Sequence, residues 1–79
     1  LSYVYFRVAE ERETTKVWEV VSRSSGDVLG IVKWYGPWRR YSFLPSDKTL
    51  FDEICLTDII EKLKGETERF WKQKKLGRN

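Results

Sequence analysis

The chain has 79 residues, 15 of them basic and 12 acidic, for a net charge of +3, with one cysteine and no histidine. That length makes one small domain with a modest core. The lone Cys55 excludes an intrachain disulfide, and the lack of histidine argues against a zinc site and removes the commonest general base.

No apolar run is long enough to span a bilayer, and no signal-peptide pattern is present. A single thiol in an apolar setting suggests a reducing, intracellular compartment. Leu1 in place of an initiator methionine suggests a trimmed or incomplete start. Aromatic residues make up 15% of the chain and supply stabilisation that cross-links would otherwise give.

Ser2 to Val8 is rich in β-branched and aromatic residues and reads as a strand. Ala9 to Thr15 is charged, without period, and reads as a loop. Lys16 to Arg23 is a second strand, and Ser24-Ser25-Gly26-Asp27 a turn in which Gly26 is free to take positive φ. Val28 to Tyr35 is a third strand. Gly36-Pro37 makes a tight turn, because proline presets φ and cannot pair in a central strand. Trp38 to Leu44 is a fourth strand, ended by Pro45.

The apolar period then changes from two to 3.6. Phe51, Cys55, Ile59 and Leu63 recur at fours, with Leu56 and Ile60 on the same stripe. Asp52 is the expected N-cap, which starts the helix near Glu53. Glu68 four before Lys72 is a favourable helical pair. Gly65 is the weak point of the helix, yet Phe70 and Trp71 favour continuation past it, since both are poor residues for a loose tail.

The expected fold class is α+β: a four-stranded antiparallel meander with one long C-terminal helix packed on one face. Residues 1–79 form a single β-β-β-β-α domain, with a basic C-terminal extension from about residue 66 to residue 79. A two-residue turn at Ser25-Gly26 sets Val21 opposite Gly30. A two-residue turn at Gly36-Pro37 sets Val32 opposite Tyr41. The helix-covered face then holds Val17, Val21, Val28, Val32, Trp34, Tyr41 and Phe43, with Gly30 leaving room for the helix. The other face holds Trp18, Val20, Ile31, Lys33, Arg40, Ser42 and Leu44. A one-residue slip exchanges these sets.

Charge is uneven along the chain. Residues 1–60 carry eight basic and nine acidic side chains, a net of −1, whereas residues 61–79 carry seven basic and three acidic, a net of +4. A basic end on a near-neutral body suits an anionic partner, although a solvated terminus has the same composition. Between Trp34 and Phe43 five aromatic residues accompany the adjacent Arg39 and Arg40. Rings that face solvent stack on bases, and the cations neutralise phosphates. A sheet face can also enter the major groove, with an arginine at a guanine edge. The bland alternative keeps Trp18 and Trp34 in the core and lays Arg39 and Arg40 over aromatic rings.

Catalysis has little support. Cys55 sits on the apolar helix stripe, where a packing role outweighs a nucleophilic one. Glu10, Glu11 and Glu13 read as a solvated charge run rather than a divalent-ion site, and no glycine-rich phosphate loop is present. No enzyme activity, cofactor or metal is expected.

The run from Gly30 to Pro45 contains W-x-x-x-W-R-x-Y-x-F-x-P, and Cys55 to Ile59 reads C-L-x-x-I. Over about residues 17–63 this resembles a set of small uncharacterised bacteriophage and prophage proteins. The resemblance implies a phage or mobile-element context and a prokaryotic cytoplasm, and brings no activity or site residues with it. The order of elements is also similar to the small sheet-plus-helix DNA-binding domains of phage integrase arms, without their motifs.

These readings converge on a small non-enzymatic nucleic-acid-binding protein, with DNA the expected ligand and no membrane partner. Lys33, Trp38, Arg39 and Arg40 are the candidate contacts on the sheet, and Lys72, Lys74 and Lys75 the contacts to the phosphate backbone. The alternative is a protein-interaction module, a homodimer or a modulator of a host protein, using an apolar patch of Trp18, Val20 and Ile31. A first strand at the sheet edge would allow pairing with a second chain.

Overall fold

The computed structural model describes residues 3–76. Ser2 and Arg78, with the rest of the extension beyond Leu76, lie outside the described residues. Four strands, β1 (Val4–Glu11), β2 (Lys16–Ser22), β3 (Val28–Tyr35) and β4 (Arg40–Pro45), form an antiparallel sheet in the order β1-β2-β3-β4. A short 3₁₀ turn, Gly36–Trp38, joins β3 to β4, and one helix, α1 (Glu53–Leu76), follows. The α+β meander with a C-terminal helix is therefore the fold.

The hydrophobic core lies between α1 and one sheet face. It comprises Val4, Trp18, Val20, Val32, Tyr41, Cys55 and Ile59, with Phe6, Leu29, Trp34, Phe43, Phe51, Leu63 and Phe70 packed against it. Val20 and Val32 are fully buried, each contributing roughly 1.5–3 kcal/mol of transfer free energy. Aromatic rings run through this layer in contact. Trp18 meets Tyr41 edge-on at 5.5 Å, Tyr41 meets Trp34 at 5.4 Å, and Trp34 stacks on Phe70 at 4.1 Å. Such pairs add about 0.5–1.5 kcal/mol each beyond their buried area.

This arrangement corrects the expected faces of β2. Trp18 and Val20 lie under the helix, not on the uncovered face. Val17 and Val21 are buried at 8% and 0% exposure but stand outside the helix-covered cluster, on the opposite face. The cause is the β2–β3 connection. It is not a two-residue turn: Ser22 donates its N–H to the Asp27 carbonyl and Gly26 donates to Ser22, with Gly26 at φ +79°. Val20 then pairs with Gly30 and Val21 with Val28, so one step on β2 matches two on β3. Leu29 is the extra residue of this bulge and turns into the core, whereas Val28, expected inside, is 37% exposed. An odd register change carries every β2 side chain to the other face.

The β3–β4 turn also differs from the two-residue expectation. Gly36 to Arg39 form the connection, and Tyr35 pairs with Arg40, Trp34 with Tyr41 and Val32 with Phe43. The register differs from the expected one by two residues. Faces are therefore preserved, and Val32, Trp34, Tyr41 and Phe43 remain inside. Trp38 belongs to the turn rather than to β4.

β1 runs on to Glu11 instead of ending at Val8. A bulge between Val8 and Glu10 admits Ala9, and Glu11 pairs with Lys16. Arg12 then donates its N–H to the Thr15 carbonyl at 2.8 Å, closing a short loop. Gly30 does not admit the helix. The Phe43 ring and the Leu44 carbonyl occupy the space a Cβ would need, at 2.6 and 2.5 Å.

Asp52 caps α1 as expected, its Oδ1 accepting the Cys55 N–H at 2.9 Å. The helix passes through Gly65 without interruption. Its buried stripe is narrower than the sequence suggests, since Leu56 and Ile60 are 43% and 52% exposed. The expected Glu68–Lys72 pair is not formed. Lys62 and Glu66 pair instead at 3.0 Å, with the Lys62 ammonium 4.1 Å above the Trp18 ring.

Candidate nucleic-acid interface

Helix length decides where the basic residues go. Phe51, just before α1, meets Phe43 late in β4. Farther along the helix, the Thr67 hydroxyl accepts the N–H of Tyr41, near the start of that strand, at 3.0 Å. The helix therefore runs back antiparallel to β4. Its 24 residues reach about 36 Å, whereas the six residues of β4 reach about 20 Å. The last helical turns thus overshoot the sheet at the end where the β3–β4 turn sits, which gives the molecule a long axis of 45 Å against 21 Å in the other directions.

The turn itself is tightly held. Pro37 occupies its first positions, and the Arg39 N–H donates to the Tyr35 and Gly36 carbonyls at 3.0 and 3.1 Å. Arg39 adopts the left-handed conformation, φ +55°, which costs an L-residue about 1–2 kcal/mol. Trp71 ties the helix to the turn by donating its indole Nε1 proton to the Arg39 carbonyl at 3.4 Å. Tyr41 anchors the strand beneath. Its hydroxyl accepts the Lys16 N–H at 3.2 Å, and burial pushes its phenol above the ordinary value.

On this frame Trp38 stands 66% exposed. Tyr35 meets it edge-on at 5.0 Å. Arg39 and Arg40 follow it, both exposed. The Arg40 Nε contacts the Trp38 carbonyl at 3.4 Å. Lys72, Lys74 and Lys75 continue from Trp71 on the exposed end of α1, where cations also complement the helix dipole. Among the described residues none of these five cations belongs to an ion pair.

The fold thus assembles Trp38, Arg39 and Arg40 with the segment bearing Lys72, Lys74 and Lys75. Lys33 shares the uncovered sheet face with Arg40, one cross-strand pair of that face farther from the turn. It pairs with Ser42 on the sheet face that α1 leaves uncovered, close enough to Glu10 to help lower that carboxyl's pKa, behind the larger effect of Arg12. The same face carries the Arg7–Glu19 ion pair at 2.6 Å. Arg7 is neutralised there by Glu19, whereas Lys33 and Arg40, on the same face, belong to no ion pair among the described residues. Of the expected apolar patch only Ile31 remains there, opposite Leu44; Trp18 and Val20 are inside. Arg39 and Arg40 do not lie over rings. The cations that do are Arg23 on Tyr5 and Lys62 on Phe6 and Trp18.

Next to the basic end an open cleft of about 640 Å³ lies between the β1–β2 loop and α1, with Arg12, Arg69, Gln73 and Lys74 on its rim. Of the carboxylates that line it, Glu11 pairs with Lys16 at 3.5 Å and Glu66 with Lys62 at 3.0 Å. Burial and the adjacent Asp52 carboxylate push the Cys55 thiol up, which disfavours its nucleophilic thiolate. The sequence reading missed Trp71, Arg69 and Tyr35 as parts of this end. Only the apolar character of Trp71, unusual for a tail, hinted that this part of the chain is held.

No protein family matches the chain, and no solved structure does. A stretch of 41 residues is 37% identical to an uncharacterised 9.3 kDa protein of Acholeplasma phage L2, covering 52% of this chain and 53% of that protein. The chain therefore spans about half the length of the curated relative it matches, and the similarity is to a small phage protein. Among the described residues no helix is long and apolar enough to cross a membrane.

Proposed function

We propose that this chain is a small, non-enzymatic nucleic-acid-binding protein of phage or mobile-element origin, acting on DNA in the cytoplasm of a prokaryotic host. The observation that carries this reading is Trp38, two-thirds exposed on a rigid turn and followed by two arginines that no carboxylate neutralises among the described residues. An indole in water beside unpaired guanidinium groups is costly for solubility and does nothing for the core. It suits a ligand with flat apolar faces and regularly spaced anions. The lysines at the end of α1 extend the positive surface along the same edge.

The test is a fluorescence-anisotropy titration of labelled oligonucleotides at two salt concentrations. Each phosphate neutralised contributes about −0.7 to −0.9 to the slope of log K against log salt. Affinity should fall steeply with salt, and Arg39→Ala/Arg40→Ala should flatten the slope by about 1.5. If the folded double variant binds as the parent does, the site is misplaced.

A second reading, self-association through the sheet edge, rests on β1. That strand is an outer edge of the sheet, whereas β4 is partly capped by Thr67. Light scattering separates the two: a dimer insensitive to salt, with no oligonucleotide affinity, favours the edge.

A further inference from the structure

We infer that the ligand of the basic end is a single-stranded polynucleotide, one of whose bases stacks on Trp38 while Arg39 and Arg40 hold the phosphates on either side. The inference rests on the nucleic-acid reading above and narrows it.

Three features of the structure separate single from double strands. The first is shape. Trp38 stands two-thirds exposed on a three-residue turn, Gly36–Trp38, at the end of the sheet. A lone ring presented this way meets an unpaired base face to face. In a duplex the same faces are already stacked, and reaching one means unstacking a step.

The second is rigidity. The turn is closed by two backbone hydrogen bonds from Arg39 and braced by Trp71, and Tyr35 packs edge-on against the indole. A ring fixed in advance loses little freedom on stacking.

The third is charge. A sheet that reads the major groove needs a positive uncovered face. Here that face sets Arg7 against Glu19 and Glu10 against Arg12, and its free cations are Lys33 and Arg40, beside the β3–β4 turn. Arg39 in the turn and Lys72, Lys74 and Lys75 at the end of α1 lie beyond that face, so most of the unpaired cations follow its edge, which suits tracking one flexible backbone. Stacking is indifferent to base identity, because every base has a π-face, so the expected preference is for strandedness over sequence.

The experiment compares three ligands at low salt: a single strand of about twelve nucleotides, its duplex, and the same strand with abasic sites. The proteins are the parent chain, Trp38→Ala and Trp38→Phe. Circular dichroism confirms that each variant is folded, which the exposure of Trp38 favours.

The single strand should bind tightest, and abasic substitution should weaken it. Trp38→Ala should lose roughly five- to 150-fold in single-strand affinity, and Trp38→Phe should retain most of it. Tryptophan emission should be quenched on adding the strand to the parent, and much less in Trp38→Phe. If single and double strands bind alike and Trp38→Ala changes neither, stacking is overturned while nucleic-acid binding stands. If no oligonucleotide binds, both readings fall together.

Discussion

Arg39 holds a backbone conformation that suits glycine, and replacing it with glycine separates structure from function. At φ +55° an L-residue is strained by about 1–2 kcal/mol relative to glycine. Glycine returns about 0.4–1 kcal/mol of this through the greater freedom of its unfolded chain. The exposed Arg39 side chain makes no hydrogen bond or ion pair with the described residues, so its removal costs no polar contact. Arg39→Gly should therefore raise stability by about 0.5–1 kcal/mol. For a chain of this size that corresponds to a rise in Tm of roughly 2–8 °C. The same substitution removes one cation from the turn. The slope of log K against log salt should become shallower by about 0.7–0.9. Arg39→Ala removes the cation but keeps the strain, so it should lose the same affinity with no gain in Tm. Thermal unfolding by circular dichroism and anisotropy titration on the same three proteins complete the comparison. A clear fall in Tm for Arg39→Gly would falsify the argument, since it would mean that the arginine side chain itself holds the turn.

Gly30→Ala places a Cβ 2.5 Å from the Leu44 carbonyl oxygen, a backbone atom that cannot rotate away; thermal unfolding should show a loss of about 1–3 kcal/mol. Gly65→Ala meets nothing within 4 Å on the exposed side of α1, and the gain in helix propensity should raise stability by about 0.8–1 kcal/mol on the same assay. The Asp52 carboxyl, which accepts the Cys55 N–H, titrates below its ordinary value of 3.8. Its contribution is complete above the unfolded pKa and is lost as pH falls through the folded one. Tm of the parent should thus decline below about pH 4 more steeply than that of Asp52→Asn, which keeps the cap without the titration; parallel curves would show that the cap is not sensing pH.

The strands, the helix and its cap were legible in the chain because each is a local property. β-Branched and aromatic enrichment marks the strands, recurrence at fours marks Phe51 to Leu63, and Asp52 precedes the first turn as a capping residue does. The basic bias after residue 60 and the aromatic cluster around Trp38 were equally plain, because composition needs no geometry. Which face each β2 residue occupies was not legible. That depended on the Leu29 bulge and on the closure of the loop by Ser22 and Asp27, both set by pairing between strands. One residue of register moved Trp18 and Val20 from a supposed interface into the core.

Residue types and their order thus determined a four-stranded meander with a long helix and two basic–aromatic segments far apart in the chain. Only the tertiary structure decided that those segments share an end. The helix must return along β4 to bury Cys55, Ile59, Leu63 and Phe70, and, being longer than the strand, it carries Lys72, Lys74 and Lys75 past the turn that presents Trp38, Arg39 and Arg40.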